Sequence, residues 1–436
     1  MRALTMSIAI AVIIGACAAM MGAAYWVGLL VEQHWFQGAA RLTNIAFLMI
    51  GFVMLMGTFL TIAERKWSAI IQDRMGPNRA RFELGPLKKR PLGGTPHIIA
   101  DALKMLFKED FKPLAANRLL YTIAPIMAFA TVFALFAIVP AGPTVVRGGV
   151  QVPMVIATPD FGLLYVFAIG SLAVYATSLA GWASNNKLAL LGGVRAASQM
   201  IGYEVALGLS LVGLMLCFGS VQLPQLVESQ TDFLWKTDTA FDLGLPKWGF
   251  FLQPLGFVLF FAAAFAESKR APFDLPEGES EIIGYFIEYS GMKFAFFMLS
   301  EFIEVIVLSG LLASLFFGGY HLPFGEQWLK GYFADSPLWW GVLLGTVFWV
   351  KVLLLVWLQF MVRWTFPRFR YDQVQSLGWK VLLPLGLANV FVCGALVLLD
   401  PTLHWVAALG LVEIALVVAL TVRGPAPEGA RAAAPH

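Results

Sequence analysis

Charge is scarce in this sequence. Only 13% of the 436 residues are Asp, Glu, Lys or Arg, whereas 59% are hydrophobic and the mean hydropathy is +0.76. Soluble domains carry about 25% charged residues. Apolar runs of about 20 residues cross a bilayer, and in lipid they must be helical to satisfy their backbone. The composition therefore excludes an ordinary soluble protein and predicts an all-α polytopic integral membrane protein.

Metal-ligating side chains are also few. The chain has three cysteines, at 17, 217 and 393, five histidines, and no CxxC pair. Iron–sulfur clusters, zinc sites and haem groups need Cys or His at characteristic spacings. We therefore expect this chain alone to bind no cofactor, and any electron-transfer centre to lie on another polypeptide.

Apolar segments predict about ten transmembrane helices, with surface helices in the connections between them. Residues 14–17 faintly resemble a lipoprotein cleavage site, but the apolar run continues to about Val31. A signal peptide's apolar region has about 7–15 residues, so the length favours a retained helix. The predicted spans are 5–31, 43–63, 119–140, 160–182, 199–220, 248–267, 294–318, 338–361, 379–399 and 403–422.

Basic residues divide unequally between the two sides of these spans. With the N-terminus inside, 24 Lys and Arg fall on the inner side and five on the outer side. This asymmetry indicates the cytoplasmic side of a bacterial inner membrane, with both termini cytoplasmic. The inner connections are then 64–118, 183–198, 268–293 and 362–378. Residues 96–108 predict a helix on the membrane or against a partner, and outer residues 144–153 predict a small hairpin.

Carboxylates concentrate in residues 267–304. The spacing of Glu277, Glu281 and Glu288 allows one helical face to carry all three, and Glu301 and Glu304 fall within a span. Close, buried carboxylates raise one another's pKa and can exchange protons near neutral pH. A solvated loop or a partner surface is the alternative. The eight acidic residues are Glu267, Asp274, Glu277, Glu279, Glu281, Glu288, Glu301 and Glu304.

Two further ionisable residues lie within predicted spans. Glu204 is either a functional carboxylate or an interfacial partner of a base such as Arg195. Lys351, in mid-span, is expected to face a buried carboxylate such as Glu301 or Glu304.

Six motifs occur in order along the connections. Together they resemble the family of the H-type membrane subunit of respiratory complex I, whose mitochondrial counterpart is NADH dehydrogenase subunit 1. The resemblance covers about residues 43–400. It implies three regions: an extra N-terminal helix and linker over 1–42, an eight-span core over 43–400, and an extra helix with a disordered tail over 401–436. The motifs are Glu64-Arg65-Lys66, Gln72-x-Arg74-x-Gly76-Pro77-Asn78, Gly181-Trp182-Ala183-Ser184-Asn185, Arg270-Ala271-Pro272-Phe273-Asp274-Leu275, Glu277-Gly278-Glu279-Ser280-Glu281 and Pro367-Arg368-Phe369-Arg370-Tyr371-Asp372-Gln373.

The resemblance implies a membrane subunit of proton-pumping NADH–quinone oxidoreductase, with quinone as substrate. Iron–sulfur clusters, FMN and NADH would lie on partner subunits. The partners would be the peripheral-arm quinone-site subunits, the antiporter-like membrane subunits and membrane lipid, with no nucleic acid. Carried over by motif, the quinone-binding positions are Glu64, Arg65, Arg74, Arg270, Phe273, Asp274, Arg363, Arg368 and Arg370. The proton-path positions are Glu204, Glu267, Glu277, Glu279, Glu281, Glu288, Glu301, Glu304 and Lys351.

Other functions are also compatible with the sequence. The chain could be the equivalent subunit of a hydrogenase or formate-linked complex, or a structural anchor for a peripheral arm. A stand-alone ion transporter is disfavoured, because the long charged inner connections suit the docking of a soluble assembly.

Overall fold

The computed structural model describes residues 2–35, 38–80, 94–235, 244–278, 281–333 and 335–423. Helices dominate this part of the chain and confirm the all-α prediction. They are α1 (Arg2–His34), α2 (Ala39–Ile71), α3 (Pro96–Phe107), α4 (Arg118–Phe136), α5 (Gly162–Ala183), α6 (Lys187–Phe218), α7 (Leu223–Glu228), α8 (Gly249–Leu252), α9 (Pro254–Glu267), α10 (Gly291–Phe316), α11 (Glu326–Tyr332), α12 (Pro337–Thr365), α13 (Tyr371–Leu399) and α14 (His404–Arg423).

Eight of these helices are long and apolar enough to cross a membrane: α1, α2, α4, α5, α6, α10, α12 and α13. The other two predicted spans fall on the 14-residue α9, with the short α8 before it, and on α14. The span predicted over 248–267 is divided into α8 and α9 at Gln253. Pro254 follows the break, and its ring has no N–H to donate and clashes with a preceding carbonyl. The last predicted span corresponds to α14.

The predicted surface helix and outer hairpin are both present. Helix α3 occupies Pro96–Phe107. Strands β1 (Gly142–Arg147) and β2 (Val150–Met154) pair antiparallel. Their turn is Gly148-Gly149, with φ of 60° and 83°, and a two-residue hairpin turn of this kind needs positive φ at both positions. A second short pair, β3 (Phe233–Trp235) and β4 (Leu245–Pro246), lies on the same connection as α7, between α6 and α8.

Helix α1 is packed into the core rather than set apart from it. Cys17, Met21 and Tyr25 are buried. The Tyr25 hydroxyl donates to the Pro143 carbonyl at 2.8 Å, which joins α1 to β1.

Residues 187–198, predicted as part of an inner connection, form the first turns of α6, because the Asn186 side chain caps the helix by accepting from Leu188 N. The prediction that one helical face carries Glu277, Glu281 and Glu288 was wrong, since residues 277–278 and 281–288 lie in turns and loop. Gly278, Ile283 and Gly284 have positive φ there, which a right-handed helix does not allow.

The four connections predicted to share the inner side contact one another. Lys293 bonds Asp110 at 2.9 Å, Asn186 donates to Glu288 at 2.6 Å, and the Ser198 and Tyr371 hydroxyls are 2.8 Å apart. These contacts gather the charged connections at one end of the helix bundle.

Candidate functional site

A buried ion cluster joins three of these connections. Glu64, near the end of α2, lies 2.9 Å from Arg270 and 2.5 Å from Arg363. The Arg270 guanidinium also lies 4.3 Å from the centre of the Phe302 ring. Two guanidinium groups face one carboxylate, so the cluster keeps a net positive charge. Among the described residues the Arg270 Nε has no hydrogen-bond acceptor.

A second set of contacts joins the loop that contains Arg368 and Arg370 to the loop that begins at Arg270. Arg368 forms an ion pair with Asp274, and Phe369 N donates to the Pro272 carbonyl at 3.1 Å. Burial raises the pKa of Asp274, although Arg368 opposes the shift. Phe273 packs against Tyr203 and Phe369 with ring centres 5.4 Å apart in each pair.

The remaining predicted quinone-side arginines lie outside this cluster. Arg65 pairs with Asp101 of α3 at 3.0 Å, with both side chains substantially exposed. Arg74 donates to Gln72 at 2.6 Å. Both arginines line a cavity of about 550 Å³ together with His97. Arg370 is exposed at the start of α13.

A row of carboxylates extends from the ion cluster into α10. Glu277 lies close enough to Glu301 to share a hydrogen bond. Tyr285 donates to Glu301 at 3.0 Å. Glu304, one turn further along α10, lies 3.7 Å from the Lys269 ammonium.

The row continues to two more predicted positions. Glu267, at the end of α9, interacts electrostatically with Glu304 and Glu204. Gly170 of α5 closely approaches Glu267, since a Cβ there would lie 3.2 Å from the Glu267 Oε1. The structure therefore brings together five of the predicted carboxylates: Glu204, Glu267, Glu277, Glu301 and Glu304.

Burial and mutual repulsion set the ionisation of the loop members of this row. Burial, reinforced by Glu301, raises the pKa of Glu277 well above its ordinary value. Burial lowers the pKa of Lys269, but Glu304, Glu301, Glu277 and Glu267 outweigh it, so the net pKa is raised. The row therefore contains one charged lysine, Lys269, beside several carboxyl groups that compete for protons.

Two predicted acidic positions among the described residues are not in the row. Glu281 is exposed and pairs with Arg195 at 2.8 Å, and this partner lowers its pKa. Glu288 accepts from Asn186. Arg195 is therefore paired with Glu281, not with Glu204. Glu279 lies outside the described residues.

The expectation that Lys351 faces Glu301 or Glu304 was wrong. Its Nζ donates to the carbonyls of Phe317, Gly319 and His321 at 2.6, 2.9 and 2.5 Å. It also lies 4.5 Å from the Trp248 ring centre. At 1.5 Å per helical residue, the Phe317 end of α10 is roughly 20 Å from Glu304.

Sequence reasoning did not assign Lys269 and Tyr285 to the site. Lys269 stands between Glu267 and Arg270 in sequence, and Tyr285 stands within the acidic stretch. That proximity is the only sequence signal for either residue, and it does not identify Glu304 and Glu301 as their partners.

Comparisons with known proteins identify the family. A family model described as NADH dehydrogenase matches residues 43–394. The chain belongs to the NADH-quinone oxidoreductase H-subunit family. The NADH-quinone oxidoreductase H subunit 1 of Cytophaga hutchinsonii is 39% identical over 348 residues, covering 79% of this chain and 93% of that protein. NADH-quinone oxidoreductase subunit 8 of Rhodothermus marinus is 43% identical over 351 residues, covering 79% of this chain and 94% of that protein.

The residues that match the NADH dehydrogenase family include the ion cluster and all five carboxylates of the row. Among the described residues, no group of three His, Cys, Asp or Glu side chains could hold a metal ion.

Proposed function

We propose that this chain forms part of the quinone-binding chamber of a proton-pumping NADH–quinone oxidoreductase and couples quinone reduction to proton translocation. The chamber side comprises the Glu64–Arg270–Arg363 cluster with Phe273, Asp274 and Arg368. Arg65, Arg74 and Arg370 flank it. The observation that carries the proposal is the row of carboxylates running from this cluster into α10.

The quinone would enter laterally from the bilayer and accept two electrons from a cluster on a partner subunit, and two protons convert it to the quinol. Arginines with spare donors suit a carbonyl oxygen that gains negative charge during reduction. Asp274, whose pKa is raised by burial, is a candidate to respond to that charge.

The proton shift would pass from Glu277 to Glu301 and Glu304, and then to Glu267 and Glu204. The contacts that support this order are the Glu277–Glu301 hydrogen bond and the Glu267–Glu304–Glu204 electrostatic interactions. Glu281 and Glu288 would serve as polar groups at the rim, and Glu279 is a further candidate for the proton path. Lys351 of α12, which binds carbonyls at the C-terminal end of α10, would influence the proton path only through its electrostatic field.

The protein would act as a subunit of the bacterial inner membrane enzyme, with both termini cytoplasmic. The peripheral-arm subunits would supply FMN, NADH and the iron–sulfur clusters, and antiporter-like subunits would receive the proton shift.

The test is proton pumping by the assembled enzyme carrying Glu204→Gln or Glu301→Gln. We expect fewer protons pumped per NADH oxidised, because neutral glutamine cannot release a proton. Glu228→Gln is the matched control, since Glu228 is exposed on the outer connection. Undiminished pumping in both site variants would contradict the coupling role. A quinone-analogue photolabel that reacts nowhere on 64–118 or 268–293 would instead favour a structural anchor.

A further inference from the structure

Two neighbouring cavities lie where the inner connection 64–118 meets the start of α10. The larger, of about 280 Å³, is lined by Leu106, Lys108, Asp110, Thr122, Pro125, Ile126, Met292, Lys293 and Phe296. The smaller, of about 160 Å³, is lined by Lys112, Pro113, Leu114, Ala116, Arg118 and Tyr121. Neither includes a residue of the ion cluster or of the carboxylate row.

Cations surround these cavities more densely than acids do. Lys108, Lys112 and Arg118 are exposed at the rim. Lys293 pairs with Asp110 at 2.9 Å and lies 5.1 Å from the Tyr121 ring centre, which places it between the cavities. The Lys293 ammonium is the main cause that lowers the pKa of Lys112. An anion between these two groups would relieve their repulsion.

The wall of the larger cavity is apolar. Pro125 and Ile126 of α4 face Met292 and Phe296 of α10 beneath Lys108 and Lys293. Ile126 is 54% exposed and Met292 39% exposed, so this wall opens to the surroundings of the helices. Helix α3, which contacts α10, exposes Ile99, Leu103 and Leu106, and Leu106 lines this cavity.

We propose that this pair of cavities binds one anionic phospholipid, with its phosphate held by Lys108, Lys112, Arg118 and Lys293 and one acyl chain against Ile126, Met292 and Phe296. The cavities are too small for a whole lipid, so they hold the headgroup and the first part of a chain while the rest stays in the bilayer. Cationic groups over an apolar wall at a predicted membrane boundary match a charged headgroup joined to a hydrocarbon chain.

Such a lipid would also stabilise the acidic loop that precedes α10. Tyr121 stacks on Tyr289 with ring centres 4.1 Å apart, and its hydroxyl donates to the Glu288 carbonyl at 2.6 Å. Ser290 donates to the Glu109 carbonyl at 3.1 Å. Lipid held at Lys112 and Tyr121 would therefore fasten the segment that precedes α10.

Lipid retention by the purified full-length chain in detergent, measured by native mass spectrometry, tests the proposal. The probes are phosphatidylglycerol and phosphatidylcholine with identical chains. We expect selective retention of phosphatidylglycerol. Replacing three rim cations in Lys108→Gln/Lys112→Gln/Arg118→Gln should weaken it on the order of 100-fold, at about tenfold or less per charge.

Two further variants keep the test decisive. Lys104→Gln/Lys187→Gln/Lys380→Gln removes the same charge from exposed positions that line neither cavity, and should retain the lipid. Met292→Trp places a larger side chain in the larger cavity without changing the charge of the protein, and should weaken the retention of phosphatidylglycerol.

Three outcomes would overturn the proposal. Equal loss in the two triple variants would indicate attraction by overall charge. Unchanged retention in Met292→Trp would show that no acyl chain uses the cavity. Displacement of the lipid by excess inorganic phosphate would indicate a site for free anions.

Discussion

Charged side chains are held in different ways in the middle of α10 and at its C-terminal end. At the C-terminal end, the Lys351 ammonium of α12 donates to three backbone carbonyls. In the middle of the helix, Glu304 lies beside Lys269, and Glu301 accepts from Tyr285 and interacts with Glu277. The three hydrogen bonds hold the Lys351 ammonium in one position. Carboxylates that outnumber their cations can exchange protons. The comparison separates a charge that joins α12 to the segment after α10 from candidate proton-transfer groups on α10.

The largest effect is expected from Lys351→Met. It removes the donor to three carbonyls and the cation at a helix C-terminus. Each buried acceptor left without a donor costs about 1–3 kcal/mol, so the loss of stability should be on the order of 3 kcal/mol or more. The measurement is the thermal unfolding midpoint of the detergent-solubilised chain, with exposed Lys330→Met as the control. If both variants unfold at the same temperature, Lys351 is not a structural cap.

A smaller loss is expected from Lys269→Met. It also removes a buried ammonium, but its partner Glu304 can take up a proton instead of remaining charged, which limits the cost to roughly 1–3 kcal/mol. The same unfolding measurement should therefore rank Lys269→Met between Lys330→Met and Lys351→Met. A loss equal to that of Lys351→Met would mean that the inner acids cannot compensate by protonation, and the comparison would fail.

The smallest effect concerns protonation alone. Because burial and Glu301 raise the pKa of Glu277, its carboxyl stays protonated as pH rises above the ordinary glutamate range. Arg195 lowers the pKa of Glu281, so that group ionises below it. Infrared difference spectra over a pH titration should lose a neutral-pH protonated-carboxyl band in Glu277→Gln. Glu281→Gln is the matched control and should keep the band. If the band persists in Glu277→Gln, the prediction that the pKa of Glu277 is raised is contradicted.

The sequence predicted the helices better than the contacts of their charged residues. The bounds of α10 and α12 differ from the predicted spans by only a few residues, because hydropathy over about 20 residues is a strong signal. The turns at 277–278 and 281–288 were mistaken for a helical face, because spacing of four and seven is compatible with a helix but does not require one. Positive φ at Ile283 is not visible in the residue type.

Partner choice was the weakest part of the sequence-based prediction. Lys351 was assigned to a carboxylate on the rule that buried charges pair. Its acceptors instead are backbone carbonyls left free where α10 ends. Whether Lys351 can reach them depends on how α10 and α12 are aligned. Lys269 and Arg270 are adjacent in sequence but pair with Glu304 of α10 and Glu64 of α2 respectively, which sequence proximity does not indicate.

The sequence by itself determined that this chain is a helical membrane protein with its charge gathered in a few connections, because the bilayer demands apolar helices of a fixed length. Only the tertiary structure decided which charges meet. Glu64 and Arg270 are 206 positions apart, and their pairing depends on the packing of helices between them. For the same reason, the division between the lysine that binds carbonyls where α10 ends and the crowded carboxylates in the middle of that helix is a property of the fold.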